Sequence, residues 1–314
     1  MSKRQERMKI IQNAVERTNA RRKLVNMVFT YVTIGCVALA MIPLGSILIE
    51  VIKNGAGIIS FEFLTQPPGT FFTTNQDETP EERRERIGGI GPAIQGTLIV
   101  VGLASLIGVP VGVLTGIYLS EYAGDNRFAR SVRFFNNVMT GLPSIVIGIV
   151  GFVVIVLAIG SFSAMAGAIA LSIIIIPIVV GVTEETLKLV PNSVREAGHS
   201  LGIPKWKVTL FITLMAAKSG VLTGIVLAMS RIAGETEPLI MTILGTSLFF
   251  KDFTSPVAAL PLMIWRYASL PYEDAQAFAW GAALILILIV LSLSAALRFI
   301  VLRRTRGAAP TLKL

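Results

Sequence analysis

PNSVREAGHSLGIPKWKVTLFITLMAAKSGVLTGIVLAMSRIAGETEPL, residues 191–239, opens as a short polar, amphipathic loop. It continues as an apolar segment that carries Arg231, Glu235 and Glu237. The first half has the composition of a surface that a partner grips. The second half places charge in an apolar stretch, where each charge costs about 2.5–3.5 kcal/mol on insertion scales. The two features side by side point to a protein that moves a solute rather than one that changes it.

Working outward, the 314 residues are 53% hydrophobic and 15% charged, against about 25% charged in soluble domains. The apolar residues fall in blocks of about 20, the length that crosses a bilayer. The blocks are 27–52, 90–119, 137–159, 165–183, 211–244 and 277–302. Six spans put both ends on one side. Twenty Lys or Arg lie in 1–26, 121–136, 184–210 and 298–314, against six in 53–89, 160–164 and 245–276. The excess predicts that both termini are cytoplasmic. The net charge of +9 is therefore read as a topology signal, not a nucleic-acid surface. The first block is long and lacks a small-residue cleavage site, so it reads as a retained helix and not a signal peptide.

The expected fold class is an all-α integral membrane protein of six transmembrane helices. Residues 1–26 form a cytoplasmic arm, 27–52 the first span, 53–89 an extracytoplasmic loop, 90–302 a core of five spans, and 303–314 a cytoplasmic tail. Thr79-Pro80-Glu81-Glu82 reads as a helix start, with Thr as cap, Pro first and Glu three residues after the cap. Residues 121–136 read as a short basic loop. Residues 256–267 are too short to cross; re-entrant and interfacial placements both stand. Cys36 is the single cysteine and His199 the single histidine. No internal disulfide or Cys-ligated metal site follows, and most nucleophile-plus-base schemes lack a base. No G-x-x-x-x-G-K-[ST], H-E-x-x-H or G-x-S-x-G occurs. The expectation is no enzyme, no metal and no cofactor.

Within the cytoplasmic loop 184–210, Ser193-Val194-Arg195-Glu196 predicts a capping box. Gly202 and Pro204 stop the helix. Val194, Ala197 and Leu201 share a face, and Ala197 with Gly198 would admit a close partner backbone. A helix of about two turns needs a surface to dock on; an ordinary interhelical loop is the alternative. Glu196-Ala197-Gly198, three residues, Gly202, nine residues, then Ile212-Thr213-Leu214 resembles the EAA loop of ABC-importer permeases. Gly198 and Met215 replace the pattern's second Ala and its Pro. The resemblance implies that Ser193, Glu196, Ala197, Gly198, Leu201 and Gly202 couple the chain to an ATPase, and that the fold is that of a type I ABC importer permease.

Arg231 and Glu235 are four apart and share a helix face. Two readings stand: an ion pair that locks two helices, or an anion path in which Arg231 supplies the positive charge and Glu235 restrains it. Gly234 and Pro238 bracket the carboxylates, so the helix is expected to break there. Glu237 either faces outer water or counters Arg266. At the third span, Gly141-Leu142-Pro143-Ser144 is either a Pro kink with Ser bonded to its own backbone or a helix start facing an anion. The run from Arg231 to Leu239 resembles the R-x-x-G-E-T-A-P-L segment of PstA-type phosphate permeases, with Glu237 in place of Ala. Gly141-Leu-Pro143-Ser144-Ile145-Val-Ile-Gly148 is similar to their G-x-P-S-I-V-x-G. Phe63-Leu-Thr-Gln-Pro67-Pro68, Gly88-Gly89-Ile90, Gly96-Thr97 and Tyr118-Leu-Ser-Glu121-Tyr122-Ala123 extend the likeness over about residues 60–302, with 70–87 insertion-like. That resemblance implies a subunit of a phosphate importer whose path uses Arg231, Gly234, Glu235, Thr236 and Ser144. It implies as partners an ATP-binding cassette ATPase dimer, a second, PstC-type permease and an extracytoplasmic phosphate-binding protein. Membrane lipid surrounds the chain, and no nucleic acid is expected. A permease for sulfate or molybdate is the alternative within transport, and a non-transporting scaffold or sensor the alternative outside it.

Overall fold

The structure is a computed structural model that describes residues 3–71, 79–124 and 126–306. Part of the expected tail (307–314), part of the insertion-like run (72–78) and the first two residues of the arm lie outside the described residues. The described residues are helical, with one isolated antiparallel bridge between Pro68 and Gly88. The chain divides into two compact units, Met1–Lys53 and Asn54–Leu314.

The first unit is helical throughout its described length. Helix α1 (Lys3–Gly55) runs through both the expected arm and the expected first span, which are therefore one continuous element. From Arg22 onward it is long and apolar enough to cross a membrane. Its hydroxyls are satisfied locally: Thr30 Oγ1 donates to the Asn26 carbonyl and Thr33 Oγ1 to that of Phe29, each at 2.8 Å. In hydrocarbon no water is present to take those protons.

The second unit begins with two short helices. Helix α2 (Phe61–Thr65) starts where Ser60 Oγ accepts the Phe63 amide at 3.1 Å. Helix α3 (Pro80–Ile87) starts with the expected capping box: the Thr79 amide donates to Glu82 Oε2 at 2.8 Å, and the Glu82 amide to Thr79 Oγ1 at 3.3 Å. Those bonds, the Thr79 backbone amide first and its hydroxyl second, hold the Glu82 carboxyl below its ordinary range. The span α4 (Gly91–Ile117) ends in a π-helical turn, Tyr118–Tyr122.

Two expectations fail next. Most of the supposed basic loop 121–136 belongs to helix α5 (Arg127–Gly141), started by Asn126 Oδ1 accepting the Ala129 amide at 2.6 Å. The third span, read over 137–159 with a kink or a helix start at Pro143, begins earlier and breaks there into separate helices. Helix α6 (Ser144–Gly151) continues through a π-helical turn, Phe152–Val156, into α7 (Leu157–Ile159), and this run meets α5 at 103°. Pro143 lacks an amide hydrogen and pushes Leu142 to an extended conformation, so the helix stops and restarts. Gly160, at φ +79°, then turns the chain in the left-handed region.

Helix α8 (Ala164–Lys188) is the axis of the unit. Its first amides are taken by the Ser255 and Phe253 carbonyls, from Ala164 N and Met165 N at 3.1 Å each. Helix α9 (Asn192–Ser200), the single turn α10 (Lys205–Lys207) and a π-helical stretch, Val208–Thr213, lead into α11 (Leu214–Ala233). The fifth span therefore ends at Ala233 and not near 244. Helix α12 (Glu237–Thr242) restarts after a break. Helix α13 (Leu260–Ala268) is the short piece expected near 256–267, and α14 (Glu273–Arg306) is the last span. Among the described residues, five helices are long and apolar enough to cross a membrane, or six spans if the bent pair counts as one.

Close approach to α8 is made by glycines four residues apart on both neighbours. On α4, a Cβ at Gly112 would stand 2.7 Å from Val179 Cβ and one at Gly116 2.6 Å from Thr183 Cβ; Gly108 meets Ile175. On α11, a Cβ at Gly224 would stand 2.7 Å from Val182 Cβ, and Gly220 meets Thr186. Lipid tails are as apolar as Leu, so helices associate in a bilayer through such dispersion contacts. Beside α2 and α3, Phe63, Phe71, Tyr267 and Phe278 pack edge-to-face or tilted with centroids 4.7–5.2 Å apart. Arg86 Nη2 lies 2.6 Å from Asp274 Oδ2 beside them. We expect Gly112→Ala to lower the thermal unfolding midpoint of the purified permease, through overpacking worth about 1–3 kcal/mol. Gly102→Ala, at a position with nothing within 4 Å, should leave the midpoint unchanged or raise it.

Candidate functional site

Arg231 sits in the last turn of α11, and Gly234 ends that helix. Glu235 and Thr236 form the break before α12, where Pro238 is tolerated because the first turn needs no amide there. Glu235 lies past the helix end, yet the expected pair forms: Arg231 Nε is 3.6 Å from Glu235 Oε1. That separation is an ion pair but not a hydrogen bond. The Arg231 side chain is 58% exposed and that of Glu235 18%. A guanidinium has five donors, and Arg231 forms no hydrogen bond among the described residues.

The pair opens on a cavity of about 220 Å³. One wall is the α5–α6 corner, with Thr140, Leu142, Pro143 and Ser144; another is the middle of α8, with Ile174 and Pro177. The two motifs singled out in the sequence, one at the third span and one at the fifth, thus meet around one space. Ser144 Oγ donates to Glu237 Oε2 at 2.6 Å. Glu237 therefore does not counter Arg266, and Ser144 is not bonded to its own backbone. Gly148 explains the spacing of its motif: a Cβ there would stand 2.9 Å from Pro238 Cα. Only a glycine lets α6 lie this close to the start of α12. Gly234 and Thr236 do not line the cavity. They form the turn that aims its neighbours, with the Thr236 carbonyl accepting the Leu239 and Ile240 amides at 3.1 Å each.

Sequence reasoning missed the part that α5 plays. Thr140 Oγ1 donates to the Asn136 carbonyl at 2.9 Å, and Asn136 Nδ2 to the Pro177 carbonyl at 3.3 Å. Arg133, Asn136 and Thr140 recur at i, i+3, i+7, a helical signal hidden by reading the stretch as a loop.

On the far side of α8, the loop residues fall into two sets. Ser193, Glu196, Ala197, Leu201 and Gly202 are exposed, Leu201 at 78%. Gly198 is buried inside the chain, where a Cβ would stand 3.0 Å from Val208 Cγ2 and 3.1 Å from Ile212 Cδ1. The face Val194, Ala197, Leu201 is therefore not the inward one; Val194 and Gly198 point in. The expected capping box does not form, because the helix begins two residues earlier with Pro191 in the cap position and no side-chain bond. Gly202 holds φ +72°, the left-handed conformation that favours glycine after a helix end. Arg195 pins the element: its Nη2 is 2.7 Å from Glu121 Oε1, and it donates to the Val190 and Leu187 carbonyls at 2.6 and 2.8 Å.

The family model for the binding-protein-dependent transport system inner membrane component matches residues 108–306. The phosphate transport system permease protein PstA of Haemophilus influenzae is 41% identical over 248 residues, 79% of this chain and 83% of its own. That of Xylella fastidiosa is 38% identical over 289 residues, 90% of this chain and 94% of its own. The probable PstA of Methanocaldococcus jannaschii is 34% identical over 279 residues, 88% and 94%. A chain of the bacterial alginate ABC transporter, solved with an alginate pentasaccharide-bound periplasmic protein, aligns with TM-score 0.60 at 15% identity over 88% of this chain and 95% of its own. A chain of the inward-facing MetNI methionine ABC transporter aligns with TM-score 0.55 at 15% identity over 70% and 97%. These two likenesses show a shared fold.

The α6–α12 contact generates a test that needs no cargo. Gly148→Val should push α6 off α12 and break the Ser144–Glu237 bond. Hydrogen exchange at the Leu239, Ile240 and Ile243 amides should accelerate, whereas Gly141→Val, at an open position, should leave it unchanged.

Proposed function

The chain belongs to the family of binding-protein-dependent transport system inner membrane components, among the PstA-type phosphate permeases, and from that premise we propose that it carries inorganic phosphate through the cavity at Arg231. It is a multi-pass inner-membrane permease subunit, not an enzyme. The observation that carries the proposal is an exposed guanidinium, without a hydrogen bond among the described residues, beside a carboxylate on a cavity level with the middle of α8. An intramembrane charge with free donors marks a polar path, and a guanidinium fork matches phosphate oxygens.

In this reading Arg231 attracts the anion and Glu235 restrains the guanidinium between passages. Ser144 holds Glu237 aside, and Gly234 with Thr236 forms the turn that presents the pair. The chain supplies half of the path, and a second, PstC-type permease supplies the other half across the exposed face of α6. An extracytoplasmic phosphate-binding protein delivers the anion. An ATPase dimer docks on residues 193–202, with Ser193, Glu196, Ala197 and Leu201 as the contact face. Gly198 and Gly202 give that helix its seat and its end. Six spans with both termini cytoplasmic complete the topology, supported by the twenty-to-six bias in basic residues.

The test is ATP-driven uptake by the assembled complex in proteoliposomes. Phosphate should accumulate, and Arg231→Gln should reduce uptake to background while assembly stays intact. Carriage of sulfate in place of phosphate would sink the cargo, and collapse of assembly in Arg231→Gln would make the pair structural. Gly202→Leu places a branched residue in a left-handed conformation at a cost of about 1–2 kcal/mol. It should release the ATPase or uncouple hydrolysis from uptake.

A further inference from the structure

We propose that Arg133 is the positioning residue through which movement of α9 reaches the Arg231 cavity, with α5 as the moving rod. The proposal rests on the importer reading for its driving force but not on the identity of the cargo.

The connection is continuous and short. Arg195 of α9 is locked to Glu121, its Nε 3.1 and 3.2 Å and its Nη2 2.7 Å from the carboxylate oxygens. Glu121 belongs to the π-helical turn Tyr118–Tyr122 at the end of α4. Leu119 of the same turn offers its carbonyl to Arg133 Nη2 at 2.8 Å. Arg133 Nε also reaches Glu184 Oε1 of α8 at 2.8 Å. One guanidinium thus ties α5 both to the turn that Arg195 holds and to the central helix. Seven residues further along α5, Thr140 lines the cavity. At 1.5 Å per residue that is about 10 Å of helix, two turns on the same face.

Elsewhere the rod is held by apolar contacts, which are non-directional: Ala129 is buried with Leu119, Ala123 and Val180, Val132 packs on the same cluster, and the Phe128 ring lies 6.1 Å from that of Tyr118. Beyond that, Asn136 holds the Pro177 carbonyl at 3.3 Å. At its far end α5 meets α6 at 103° across Leu142 and Pro143, a joint with no helical hydrogen bond through the proline. A shift of the α9 seat would move the Tyr118–Tyr122 turn, then Arg133, and swing Thr140 relative to Arg231. Glu184 also pairs with Lys188 Nζ at 2.6 Å, so removing Arg133 does not strand a buried carboxylate, and Arg133→Gln should fold.

The experiment uses the assembled complex in a Cys36→Ala background, which removes this chain's single cysteine, with the partner subunits made cysteine-free. Spin labels at Val138→Cys on α5 and Leu291→Cys on α14, both exposed, report their separation with and without ATP. The separation should change with ATP in the background complex. In Arg133→Gln the ATPase should stay bound and hydrolyse ATP, but the change should vanish and phosphate moved per ATP should fall about tenfold. Arg133→Lys should restore part of both. A retained distance change with normal uptake per ATP overturns the proposal. So does a fall in ATP hydrolysis and uptake together, in step with lost folded complex, since a mere staple would give that. The distance arm uses ATP alone, so a complex that carries sulfate would sink the cargo reading and leave this one standing.

Discussion

The approach of α4 and α11 to α8 is the interaction on which the second unit depends. Gly108, Gly112 and Gly116 on one neighbour and Gly220 and Gly224 on the other leave no room for a Cβ. In lipid, exclusion of water supplies no drive for helix association, so stability comes from dispersion over closely matched surfaces. With α8 gripped on two sides, the rest is free to be irregular. Helix α11 stops near mid-height at Ala233, and the α5–α6 pair bends by 103°. Broken helices at membrane depth are tolerated where they line a cavity, and both breaks face the same one. The rigid pair of seams is thus what permits two unwound segments to be aimed at each other.

Much of this was legible in the sequence because charges and glycines in apolar stretches have few innocent explanations. Arg231 and Glu235 announced themselves by cost, and the break between them by Gly234 and Pro238. The capping box at Thr79 and Glu82 formed as read because Pro80 fixes the first helical residue. The similar pattern at Ser193 and Glu196 did not, because Pro191 can begin the helix two residues sooner and Arg195 is drawn to Glu121. Local chemistry offered two starts, and a tertiary contact chose between them.

The largest misreading has a physical source too. Residues 127–141 hold three arginines and two asparagines, a composition that reads as a loop. Two of these polar groups are used inward, Arg133 on Glu184 and Asn136 on the Pro177 carbonyl, while Phe134, Phe135 and Val138 face outward. Amphipathicity in a membrane protein can run opposite to that of a soluble domain, with the polar seam buried and the apolar one exposed. A rule that expects apolar residues to point in will discard such a helix.

The placement of Glu237 removes the objection that its charge raises against an anion path. With Glu235 and Glu237 both ionised, the cavity region holds two negative charges against the one positive charge of Arg231. Their positions are not equivalent. Glu235 stands 3.6 Å from Arg231, whereas Glu237 is turned to Ser144 and does not line the cavity. An anion arriving at Arg231 would compete chiefly with Glu235, whose ion pair is too long to be strong. Conduction needs a site favourable enough to enter and weak enough to leave. In the proposed path, a guanidinium that donates no hydrogen bond among the described residues but has its charge partly compensated would meet both conditions, as an unpaired arginine would not.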